Sequence, residues 1–181
     1  HVQVNVVEGN PISLSCFEED ERPGAQMVVW WHRLRRNPTH ASTRTVFLSD
    51  QQNFEINQTT REDSGEITCI KDREKYSDTG IRIFDLNVHF PPTIYVLKSR
   101  VQIRFNSTLI LECVAESFPL PELPVTWTPK GKIITRNFDN YFRRSTLTIN
   151  SVQPKDSGEY VCMVRNAVGR SQKTIIVDRF Y

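Results

Sequence analysis

No run of apolar residues in this 181-residue chain approaches the eighteen or so that a helix needs to cross a bilayer. The chain opens at His1 without the pattern of a signal peptide, so either a mature form or an excised portion of a longer protein is expected. Histidine is scarce, and no two of His1, His32, His40 and His89 have metal-ligand spacing on one element. Cysteine is scarce too. The nearest two of the four, Cys69 and Cys113, stand 44 residues apart, whereas zinc ligands come as closely spaced pairs. There is no Gly-x-Ser-x-Gly and no glycine-rich phosphate loop. The expectation is a protein that is not an enzyme and uses no metal and no cofactor.

What the chain does contain is a repeat. Asp156-Ser157-Gly158-Glu159-Tyr160-Val161-Cys162 has a near copy upstream in Asp63-Ser64-Gly65-Glu66-Ile67-Thr68-Cys69. Each copy ends in a cysteine, and each has a second cysteine followed by a tryptophan upstream. Cys16 precedes Trp30 by fourteen residues, and Cys113 precedes Trp127 by fourteen. Phe54-Glu55-Ile56-Asn57 and Leu147-Thr148-Ile149-Asn150 lead to Asp63 and Asp156 at the same interval. One unit of about ninety residues therefore occurs twice, which divides the chain into domains 1–90 and 91–181, each near the size of a small sandwich domain.

Cysteine, tryptophan and then Asp-x-Gly-x-Tyr-x-Cys, twice in register, resemble the immunoglobulin superfamily along the whole chain. The first copy is similar to variable or intermediate sets and the second to intermediate sets. The resemblance implies an all-β protein of two consecutive Greek-key β-sandwiches. It also implies one disulfide in each, Cys16 with Cys69 and Cys113 with Cys162, and hence an oxidising compartment. Trp30 and Trp127 become the core tryptophans, packed on the sulfurs. Asp63 and Asp156 read as structural corner residues, and a tyrosine two residues before the second cysteine closes the corner. Tyr160 fits that pattern. Ile67 departs from it, keeping apolar packing without the phenolic hydrogen bond. Asn166-x-x-Gly169 looks like the family's last hairpin turn, with Gly169 expected at positive φ.

If Trp30 points inward with Cys69, then Val29, Trp31 and Ile70 share the outer face of that sheet, joined by Ile81 and Ile83 from the last strand of the domain. The matching outer positions of the second domain, Thr126, Thr128, Val161 and Met163, are milder. Room for an extra edge strand exists around Thr45-Val46-Phe47-Leu48. A solvated sheet face rarely carries so many large apolar groups, so the expectation is a protein-binding surface anchored by Trp31. The resemblance then implies an extracellular cell-adhesion molecule or receptor ectodomain whose partner is another cell-surface or secreted protein, homophilic or heterophilic. A secreted two-domain ligand or decoy, or a fragment of a matrix or muscle repeat protein, are the alternatives. Asn57-Gln58-Thr59 and Asn106-Ser107-Thr108 are glycan acceptor patterns consistent with secretion.

The net charge of +2 conceals an asymmetry. Residues 1–90 carry ten Lys/Arg against fourteen Asp/Glu, and residues 91–181 carry thirteen against seven. Lys130, Lys132, Arg136, Arg143 and Arg144 fall in one stretch of the basic half and make heparan sulfate a candidate partner there. Arg143 and Arg144 would point opposite ways on a strand. No nucleic-acid partner is expected.

Overall fold

The computed structural model describes residues 1–16, 27–35, 44–49, 53–73, 80–121, 125–137 and 141–179, with side chains for all of these except 27–30, 32, 35, 44–49 and 71–73. It separates into two compact units, His1–His89 and Phe90–Tyr181.

The first unit contains β1 (Val2–Val7), β2 (Ile12–Ser15), β3 (Met27–Arg35), β4 (Arg44–Ser49), β5 (Asn53–Ile56), β6 (Gly65–Arg73) and the leading part of β7 (Gly80–Tyr95). One sheet runs β1-β7-β6-β3-β4, with β1 parallel to β7, and a second pairs β2 with β5. β4 is the extra edge strand that the chain length left room for, antiparallel to β3. The alternation of β2 shows why these residues form a strand: Leu14 is buried while Ser13 and Ser15 face solvent. The Cys16–Cys69 disulfide, with Cα atoms 5.8 Å apart, ties the end of the β2 segment to β6.

Around that disulfide pack Leu14, Trp31, Ile67, Phe84, Leu86 and Val88. Here the sequence expectation is corrected. Trp31, with only 1% of its surface exposed, is the core tryptophan. The ladder pairs Trp31 with Cys69 and Trp30 with Ile70, so Trp31 shares the face of the buried sulfur. Its ring lies 5.5 Å from Phe54 and 6.2 Å, stacked, from Phe84. Matching the Cys16 spacing to the second copy selects the wrong residue because the connection between the two strands absorbs one extra position. Pairing with Cys69 is the constraint that decides orientation.

The second unit contains the end of β7, β8 (Arg100–Ile103), β9 (Leu109–Phe118), β10 (Thr126–Thr128), β11 (Lys132–Asn137), β12 (Phe142–Ile149), β13 (Gly158–Arg165) and β14 (Arg170–Arg179). Its sheets run β11-β12-β9-β7 and β10-β13-β14-β8. The β7–β9 register shifts between Phe90 and Thr93, where Pro91 and Pro92 have no N–H to donate to the ladder. Cys113 on β9 and Cys162 on β13 join the two sheets, and Trp127 stands opposite Cys162 with its Nε1 donating to buried Ser145 Oγ at 2.8 Å.

The corner tyrosine is in place. Tyr160 Oη donates to the Asp156 carbonyl at 2.6 Å, while buried Ile67 takes the equivalent position in the first unit. There Ser64 Oγ accepts from the Val88 N–H at 3.0 Å instead. Gly169 is not at positive φ. Asn166 Oδ1 accepts from the Val168 and Gly169 N–H groups to close the turn, and a Cβ on Gly169 would come within 3.2 Å of Pro91 Cβ. Glycine is therefore favoured here by close approach rather than by backbone conformation.

Trp31→Ala should destabilise the first unit by about 3–5 kcal/mol, the cost of emptying an aromatic core site. Denaturant unfolding checks it, and a loss below about 1 kcal/mol would contradict the assignment. Tyr160→Phe should cost the second unit about 1 kcal/mol through the lost hydrogen bond. Burial first and the Asp156 carboxylate second raise the phenol pKa above its ordinary value of 10.0. An unfolded tyrosine ionises near pH 10 while the folded one holds its proton longer, so stability is retained below about pH 10 and lost as pH rises above it. That alkaline loss should shrink in Tyr160→Phe, as read from melting temperatures between pH 8 and 11.

Candidate recognition surface

The register that turns Trp31 inward also settles the opposite face of the first unit's larger sheet. Ile70 pairs with Ile81 and Thr68 with Ile83 across β6 and β7, on the side away from Cys69, Phe84 and Leu86. Ile81 is 64% exposed, and Ile70 and Ile83 are half-buried beside it. Three of the five residues expected on this face are therefore brought together on it. Trp31 is not among them, and the side chain of Val29 lies outside the described residues.

Toward β1 the same face becomes polar. Gln3 Nε2 donates to Asp85 at 2.7 Å, and Asn87 Nδ2 donates to Gln3 at 3.0 Å and to Asn5 at 3.2 Å. These residues alternate with the apolar ones of β1 and continue the parity of Ile81 and Ile83 along β7. That parity was the signal in the sequence that would have placed Asp85 and Asn87 on this face, which Gln3 and Asn5 join only through the β1–β7 pairing. The surface thus grades from an ordered amide and carboxylate network into an aliphatic patch. It offers directional hydrogen bonding beside a desolvatable area, and at its polar end His1 Nδ1 lies 3.5 Å from Asp85 Oδ2.

At the base of the unit, Arg33 of β3 forms a buried ion pair with Asp63, the two side chains being 7% and 11% exposed. Asp63 Oδ2 also accepts from the Thr60 N–H at 2.7 Å, and Asp156 does the same for Gln153 at 2.8 Å. Both aspartates are thus structural caps of short 3-10 turns, Arg61–Asp63 and Pro154–Asp156. The second unit cannot form the arginine pair. Counting from the core tryptophans, the position of Arg33 is occupied by Pro129.

The five basic candidates of the second unit do not share a face. Arg136 pairs with Arg144 on one side of the β11–β12 ladder, with Lys132 in the same parity, whereas Arg143 pairs with Asn137 on the other and donates to its Oδ1 at 2.7 Å. Burial lowers the Arg143 guanidinium pKa. Lys130 is exposed just ahead of β11. Asn57 and Asn106 are both exposed. Among the described residues no cluster of His, Cys, Asp and Glu is arranged to hold a metal ion, and no helix is long and apolar enough to cross a membrane.

Residues 91–166 match the family model described as "Immunoglobulin domain". Hemicentin-1 of Homo sapiens is 28% identical over 174 residues, which are 95% of this chain and 3% of the relative. Cell adhesion molecule 2 of Xenopus tropicalis is 28% identical over 183 residues, 95% of this chain and 41% of the relative. The chain therefore spans a small to moderate part of the curated relatives it matches. A solved structure described as Dpr2 Ig1-Ig2 in complex with DIP-Theta Ig1-Ig3 has the same fold, with a TM-score of 0.71 at 23% identity over 99% of this chain and 62% of that one. Two disulfide-pinned sandwiches, each with a tryptophan paired opposite a bridged cysteine, define a tandem immunoglobulin-like fold, and residues 91–166 are an immunoglobulin domain.

The corner ion pair makes the two aspartates unequal. Asp63→Asn should destabilise by about 3 kcal/mol or more, because it strands the buried Arg33 charge. Asp156→Asn should cost about 1 kcal/mol, the value of a cap hydrogen bond. Equal losses in denaturant unfolding would show that Arg33 is not held by Asp63.

Proposed function

We propose that the chain is an extracellular recognition module of a cell-adhesion molecule or receptor ectodomain, binding another cell-surface or secreted protein mainly through the outer face of β6 and β7. The observation that carries this reading is Ile81, 64% exposed and flanked by Ile70 and Ile83 on a sheet face. Burying such a patch releases water from apolar surface, at roughly 25 cal/mol for each Å². The neighbouring Gln3, Asn5, Asp85 and Asn87 network supplies a polar rim whose groups are already oriented, so little ordering entropy is lost on docking. Similarity to a protein named a cell adhesion molecule supports the class, and the exposed acceptors Asn57 and Asn106 suit a glycosylated, secreted chain.

A second reading is a segment of a long matrix repeat protein. Its support is the similarity to hemicentin-1, of which the matched region is 3%. The unlike charge and corner chemistry of the two units argue for specialised roles rather than uniform repetition.

Multivalent display of the full chain on fluorescent beads, with binding scored both to one another and to cells, separates homophilic from heterophilic contact. Ile81→Asp, alone and with Ile83→Asp, should weaken whichever binding is seen by at least about tenfold, as expected for central interface residues, while melting temperature stays within about 2 °C. Undiminished binding by the double variant would overturn the surface.

A further inference from the structure

We propose that the outer face of the β11–β12 edge in the second unit binds an extended sulfated polysaccharide of the glycosaminoglycan class, through Lys132, Arg136 and Arg144. This goes beyond the recognition face of the first unit and does not depend on it.

Three observations converge. First, the ladder puts Arg136 directly opposite Arg144, both exposed. Like charges at paired positions about 5 Å apart repel and weaken a sheet unless an anion sits between them. Second, Lys132 lies four residues along β11 on the same face, about 13 Å from Arg136. A single compact anion cannot touch both, whereas a linear chain with repeated anions lying along the strand can. Third, the site is an open edge: β11 has β12 as its only strand neighbour among the described residues. An open strand edge suits a polymer running past it better than an enclosed small molecule. The guanidinium forks of Arg136 and Arg144 match the oxygens of sulfate or carboxylate groups.

Two carboxylates of β9 lie on this face and oppose it, Glu112 and Glu116, of which Glu116 accepts from Tyr95 Oη at 3.1 Å. Glu112 on β9 forms an ion pair with Arg144 at 3.2 Å, both side chains being nearly half exposed. Exposed pairs of this kind contribute little and exchange readily, so Glu112 competes with the polysaccharide for Arg144 without blocking it. Arg143 is excluded from the site by parity and by its bond to Asn137.

The test is retention of the full chain on immobilised heparin, read as the NaCl concentration of elution. The wild type should elute above physiological ionic strength, about 0.15 M. Lys132→Glu with Arg136→Glu should elute below it, and Arg143→Gln should elute with the wild type. Glu112→Gln should elute later than the wild type, because it removes a carboxylate that competes for Arg144. Arg136→Gln should lose retention without losing melting temperature, since it removes a repulsive rung. Desulfated heparin and free sulfate serve as competitors, and vesicles of phosphatidylserine and phosphatidylcholine as an alternative surface. Equal elution of wild type and Lys132/Arg136 variants would overturn the site. So would earlier elution of Glu112→Gln, full competition by desulfated heparin or by millimolar free sulfate, or binding to the vesicles in place of heparin. Aggregation of the variants with unchanged retention would likewise overturn it, leaving the cations as guards of an open strand edge.

Discussion

The pairing of Trp31 with Cys69 is the constraint from which the rest of the first unit follows. A strand has only two faces, so fixing one side chain against a buried disulfide fixes every other residue on β3, and through the ladder those on β6 and β7. Ile67, Phe84, Leu86 and Val88 then close the core with Trp31. Thr68, Ile70, Ile81 and Ile83 are left on the outside by the same step. A register one residue different would have exchanged the two sets and buried the proposed recognition surface.

Much of this was legible in the sequence, and the failures have a common origin. The repeat and the corner tyrosine followed from residue types at intervals within single corners, both disulfides from the resemblance those motifs carry, and the extra edge strand from the length of chain available. The choice between Trp30 and Trp31 depended instead on a connection whose length is free to vary by one. Trp31 was assigned to the wrong face as a consequence, although Ile70, Ile81 and Ile83 were not, because their parity was anchored to Cys69 directly. Arg33 with Asp63, and Gln3 and Asn5 with Asp85 and Asn87, join residues from distant parts of the chain. Local pattern carries no information about such partners until the strand order is known.

The two units solve the same corner problem with different chemistry. The second uses a neutral phenol bonded to a backbone carbonyl, Tyr160 to Asp156. The first uses isoleucine for packing, a serine to hold β7 and a buried arginine to hold the aspartate. Buried ion pairs are poor sources of net stability but are costly to break, so the first unit is less tolerant of change at this corner. The division extends to the surface. The first unit is acidic overall and carries an aliphatic face, while the second is basic and places Lys132, Arg136 and Arg144 on one face of its β11–β12 ladder.

Solvent accessibility of isoleucine methyl groups tests the register most directly and needs no binding partner. With a soluble paramagnetic probe, NMR of the folded chain should show the Ile81 δ-methyl strongly broadened, Ile70 and Ile83 partly so, and Ile67 unaffected. Broadening of Ile67 with protection of Ile81 would contradict the account, because it would place the opposite face of the sheet against the core.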